Sequence, residues 1–215
     1  MVTITNTPQL YSYMYSVDDI SNMVNNGSFN INIKVDKIVL VNYENRPINQ
    51  TNVDLILRLF VNSELQDKSQ SMLNNWKNNN AISNITLVNL KYKFPISTLN
   101  AISLYNLTQL NLSFNDLSNL VNVPLYKFNN THCEIFNFAN TNINSFIIMN
   151  NRFQSMFRLK ELYLTNNIFD EASIYYLFTF DLINLHNLKV FNITLPNNNY
   201  TLPLIQKFNV GVITL

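Results

Sequence analysis

Along the middle of the chain, apolar side chains fall in trios, the second member three residues after the first and the third two residues later. Leu107, Leu110 and Leu112 form one trio, Cys133, Phe136 and Phe138 a second, and Leu159, Leu162 and Leu164 a third. Their first members stand 26 residues apart in both steps. Such an internal period governs the fold before any single element is considered. Ile82, Ile85 and Leu87 lie one step earlier, at a spacing of 25, and Leu188, Phe191 and Ile193 one step later, at 29. Val210, Ile213 and Leu215 extend the pattern at 22 residues, and Val35, Ile38 and Leu40 precede it by 47. Alternation at the end of each trio predicts a short strand with one face buried.

The stretches between the trios carry a different period. After Phe169, Asp170 is a helix cap ahead of Ile174, Leu177 and Phe178 at helical spacing, which predicts a returning helix. Pro124 limits any helix in the segment after Leu117. Near the start, Leu10, Met14, Val17, Ile20 and Val24 share one helical face, Ser16 and Asp19 suit a capping box, and Gly27 suits a stop. Residues 7–27 are therefore predicted to be helical, covering the open end of the array. Residues 51–61 and 63–76 predict two more amphipathic helices, the second through Leu65, Met72, Leu73 and Trp76. The resulting organisation is a helical N-terminal cap over 1–30, a first irregular unit with a two-helix insertion over 31–81, and regular units over 82–215.

Leu107-Thr-Gln-Leu110-Asn-Leu112-Ser-Phe-Asn115-Asp-Leu117 fits the template L-x-x-L-x-L-x-x-N-x-L at every specified position. Leu159 to Phe169 fits it with Phe for the last Leu, and Cys133 to Ile143 fits it with Thr141 in place of Asn. On these residues the chain resembles the leucine-rich-repeat superfamily, well over 82–195 and poorly over 30–81. The resemblance implies an α/β solenoid, with a curved parallel sheet on its concave face and helices or irregular segments outside. It also implies that Asn115, Thr141 and Asn167 hold the bend that follows each strand. An amide suits that place, because it offers donors and an acceptor on a short arm to backbone groups stranded by a sharp turn. Leu90 and Pro196 occupy the same position in the flanking units.

Composition changes this picture little. Asn occurs 41 times, against 2 Gly, 4 Ala and 4 Arg, as A/T-rich codons would produce; in this respect the chain is similar to repeat proteins of A/T-rich viruses, such as insect poxviruses, and of protists. A disordered Asn-rich tract is excluded by the apolar residues that recur between the Asn. The eight N-x-S/T sequons are close to the number chance gives at this composition. A formal charge of +1 without basic runs points away from nucleic acid and membrane surfaces. The N-terminus lacks a signal-peptide pattern, no run is long enough to span a membrane, and Cys133 has no second cysteine to pair with. These features predict a cytoplasmic protein, in the host cell if viral.

Chemistry is scarcer still. His132, His186 and Cys133 show no metal-ligand spacing, and with two distant glycines no phosphate loop exists. His132 beside Cys133 suggests a nucleophile, but the trio register places Cys133 in the core. Glu134, Glu161, Asp170 and Glu171 are accounted for by solvated faces. No enzyme and no cofactor is expected.

Surface remains. Residues between the apolar positions project from the opposite face of the strands. A middle column reads Val39, Thr86, Asn111, Asn137, Tyr163 and Asn192, and the columns beside it contain Gln109, Ile135, Glu161 and Val190 on one side and Ser113, Ala139, Thr165 and Thr194 on the other. This neutral, hydrogen-bonding face, with Tyr163 as its large aromatic anchor, suits a protein or peptide. The expectation is a non-enzymatic module that binds a protein partner through Asn111, Asn137, Tyr163, Asn192, Gln109 and Glu161. Three alternatives stand beside it: an adaptor for a ubiquitin ligase or similar complex, contacting the machinery through residues 1–80; a secreted receptor fragment, glycosylated at Asn84 or Asn111; and a face that is merely solvated.

Overall fold

A computed structural model describes residues 2–6, 11–15, 22, 26, 37–42, 49–51, 53–54, 57, 82–102, 106–122, 132–144, 153, 156–195 and 212–214. Nine strands occur among them: β1 (Val2–Asn6), β2 (Tyr11–Tyr15), β3 (Lys37–Val41), β4 (Asn84–Val88), β5 (Gln109–Asn111), β6 (Ile135–Asn137), β7 (Glu161–Leu164), β8 (Val190–Ile193) and β9 (Val212–Thr214). They make one sheet in the order β2-β1-β3-β4-β5-β6-β7-β8-β9. All six pairings from β3 to β9 are parallel. With helices between strands, the arrangement is α/β.

The trios account for the sheet. Ile85 and Leu87, Leu110 and Leu112, Phe136 and Phe138, Leu162 and Leu164, and Phe191 and Ile193 are all buried and face one continuous core. Register aligns them, with Ile85 opposite Leu110, Leu110 opposite Phe136, Phe136 opposite Leu162 and Leu162 opposite Phe191. Leu107, Cys133, Leu159 and Leu188, the first members, are buried in the same core. Aromatic rings fill its middle: Phe136 lies 4.1 Å from Phe138 and 5.7 Å edge-on from Phe153. Each such pair adds roughly 0.5–1.5 kcal/mol to the stabilisation from area burial.

The returning segments are short. Helix α1 (Ile96–Ile102) follows β4, a 3-10 turn (Ser118–Asn122) follows β5, and α2 (Glu171–Tyr176) follows β7. Asp170 caps α2 as predicted, its carboxylate accepting from the Ser173 N–H at 2.8 Å. Beyond Tyr176 the helix widens to i→i+5 bonding over Leu177–Asp181 and tightens again over Leu182–Asn184. Of the two-helix insertion, residues 50, 51, 53, 54 and 57 are helical, and Asn49 accepts from the Thr51 N–H at 3.0 Å. This helix docks through the Tyr92 hydroxyl, which donates to Asp54, and the Gln50 side chain, which donates to the Leu90 carbonyl at 3.3 Å. The predicted helix over 63–76 lies outside the described residues.

The N-terminal prediction requires correction. Tyr11–Tyr15, assigned above to a helical cap, is a strand, antiparallel to β1, which is itself antiparallel to β3. Val2-Thr-Ile-Thr and Tyr11-Ser-Tyr-Met-Tyr are rich in β-branched and aromatic residues that favour extended backbone. Pairing with the sheet thus overrides the helical spacing over Tyr11–Tyr15, while residues 7–10, 16–21, 23–25 and 27 of the predicted helix lie outside the described residues. One helical bond, from the Asn26 N–H to the Asn22 carbonyl at 3.0 Å, is found further on. No helix among the described residues is long and apolar enough to cross a membrane.

Candidate functional site

Two sets of side chains differ in position, one holding the bends after the strands and one facing outward. Asn115 is buried. Its Oδ1 accepts from the Leu90 N–H at 3.0 Å, and its Nδ2 donates to the carbonyls of Leu87 (2.7 Å), Leu112 (3.0 Å) and Ser113 (3.1 Å). Asn167 repeats this one strand pair further along, as its Nδ2 donates to Phe138 O at 2.7 Å and Leu164 O at 3.0 Å. Its Oδ1 accepts from the N–H groups of Thr141 and Ile143, each at 3.1 Å. Each amide therefore ties its own bend to the preceding one. Thr141 makes part of the set: its hydroxyl lies 2.7 Å from Phe138 O and 3.1 Å from Asn167 Oδ1.

The residue before each of these positions is left-handed: Asn89, Phe114, Asn140 and Asn166 have φ of 58°, 59°, 56° and 54°. Asn is among the few side chains that tolerate this region; Phe is not. Sequence reasoning missed this corner, because three of its four residues are Asn, inconspicuous among 41. Lys91 (53°) and Asn142 (59°) are also left-handed, and both follow a bend position without Asn, namely Leu90 and Thr141. Where Asn115 and Asn167 hold the bend, the following Asp116 and Ile168 do not need that conformation.

The outward set shares one face. Register places Thr86, Asn111, Asn137, Tyr163 and Asn192 in one row across β4 to β8, and Asn84, Gln109, Ile135, Glu161 and Val190 in the next. All ten are half-buried, in contrast to the buried residues beside them. These two columns are thus on a single surface opposite the core, with neighbouring strands about 4.8 Å apart; the third column departs from the expectation, since Ser113 and Ala139 are buried while Thr165 is half-buried and Thr194 exposed.

Hydrogen bonds divide this surface. On β4 and β5, Asn84 donates to Gln109 Oε1 at 2.8 Å, and Thr86 to Asn84 Oδ1 at 3.0 Å. Asn111 and Asn137 behave alike: each Oδ1 accepts from the backbone N–H two residues on, Ser113 at 3.1 Å and Ala139 at 3.0 Å. That bond fixes the amide, and neither Nδ2 donates to another described residue. On β7 the Tyr163 hydroxyl donates to Glu161 Oε2 at 2.9 Å. Burial and that carboxylate hold the Tyr163 hydroxyl above its usual pKa, so it remains a donor through neutral pH. Asn192 Oδ1 is shielded from solvent and has no hydrogen-bond partner among the described residues.

Cys133 is buried, its thiol 3.3 Å from Ile135 O, and burial pushes its pKa up to about 12, so a nucleophilic thiolate is suppressed. His186 is exposed on the connection between β7 and β8. Glu134 pairs with Lys160 at 2.7 Å, and that hydrogen bond lowers its pKa. No group of three or more His, Cys, Asp or Glu capable of holding a metal occurs among the described residues. Comparison with family models, with curated proteins and with solved structures finds no match to the chain.

Proposed function

We infer that the chain is a leucine-rich-repeat array that binds a protein partner through the open face of its sheet. The observation that carries this reading is the outward row itself: Asn111, Asn137, Tyr163 and Asn192 lie strand by strand opposite the core, and the Asn111 and Asn137 amide N–H groups donate to no other described residue. Spare donors with fixed geometry and a half-buried aromatic are what a polar partner surface needs. The repeated asparagine bends and the 25- to 26-residue steps between β4, β5, β6 and β7 support the array, in which the open face is concave. The function is non-enzymatic and cytoplasmic, and no nucleic acid is bound. As an adaptor the chain would present residues 1–80 to a ligase, but β1 and β2 belong to the same sheet as the open face, and a single binding surface is the simpler assignment.

The test compares the intact chain with Tyr163→Ala as baits in affinity purification, followed by titration of the partner recovered. Tyr163→Ala is expected to weaken binding by at least about 1 kcal/mol with an unchanged circular dichroism spectrum. Equal affinity for both baits removes this face from the function.

A further inference from the structure

The open face is neutral over most of its area, and Glu161 is its one carboxylate among the described residues of β3 to β8. Register sets Ile135 and Val190 on either side of it. Tyr163, two residues along the same strand and on the same face, occupies Oε2 through its hydroxyl; Oε1 accepts from no described residue. The nearest lysine in sequence, Lys160, is engaged by Glu134 at 2.7 Å, and no ion pair to Glu161 is formed among the described residues.

We propose that Glu161 and Tyr163 form a subsite for an arginine or lysine side chain carried by an extended segment of the protein partner. The charge is complementary, the two apolar neighbours suit the aliphatic stem, and the aromatic ring offers a face to the cation. Asn111 and Asn137 lie two strands and one strand away in the same row. Their spare N–H groups are donors for the carbonyls of the same segment. A hydrogen bond from Tyr163 holds the carboxylate in one orientation, so the cation meets a preorganised acceptor. This inference rests on the function proposed above and assigns the partner's chemistry to one place on the face.

The experiment uses the full chain and three pools of decapeptides, randomised except for a central Arg, Gln or Glu, titrated by fluorescence anisotropy at low and high salt. The Arg pool is expected to bind roughly tenfold more tightly than the Gln pool, and the Glu pool most weakly. The advantage should shrink as salt rises. In Glu161→Gln the Arg and Gln pools should bind equally, with thermal melting unchanged. An Arg preference that survives Glu161→Gln, no preference, or no binding by any pool overturns the proposal. Equal binding of all pools with NMR shifts at the Asn111 and Asn137 side-chain amides would do so while leaving the broader binding function standing. If the intact partner is also insensitive to Tyr163→Ala, that function falls with it.

Discussion

Asn167 and Thr141 occupy equivalent bends and solve the same problem unequally. The amide of Asn167 serves two N–H groups and two carbonyls at 3.1 Å or less, whereas the Thr141 hydroxyl has one proton for two acceptors. Asn167→Ala leaves buried backbone groups without partners and is expected to cost roughly 1–3 kcal/mol in chemical denaturation; a neutral result would refute the bridging role. Phe114 presents the opposite case, a bulky residue held at φ 59° with nearly half its surface exposed. Replacing it with Asn, as at the equivalent Asn89, Asn140 and Asn166, should raise stability by about 1 kcal/mol. No gain would show that the ring's contacts outweigh its backbone strain. Asn115 and Asn167 were legible because the template marks them. The left-handed corner beside them was not, since a side chain's tolerance of positive φ leaves no trace in hydrophobic periodicity.

At the scale of elements, the buried trios predicted β4 to β8 because a strand with one covered face must alternate. The outward rows followed from the same alternation. α2 was legible through Asp170, a cap followed by helical spacing. The N-terminal hairpin was not: Leu10, Met14 and Val17 fit a helix, and what decides for a strand is pairing with β3, more than 20 residues further along the chain. β1 is hydrogen-bonded on both edges, to β2 and β3, so proline there removes a ladder bond. Ile4→Pro is expected to abolish amide-exchange protection in β1 and β2 and reduce it in β3, while β5 to β7 remain protected. Uniform loss across the sheet would show that the hairpin is required for the whole fold.

Across the whole molecule, each strand from β4 to β8 pairs with the strands before and after it in sequence, so stability is passed from neighbour to neighbour. Phe136 sits near the centre of this chain of contacts and is fully buried. Phe136→Ala should cost about 3–5 kcal/mol and broaden thermal unfolding into two phases, as the units on either side lose their common link. A single sharp transition at lower temperature would instead mark the core as one indivisible unit.

The antiparallel hairpin has a consequence for how such a protein changes length. Every strand from β3 onward offers its successor an edge of the same polarity, which another strand of similar sequence can copy, whereas β1 and β2 run in alternating directions and break that pattern on their side. A further parallel strand therefore continues the existing pattern when inserted after β3 or placed beside β9. A variant lengthened in this way extends the outward rows while the pairing of β1 with β2 and β3 stays as it is.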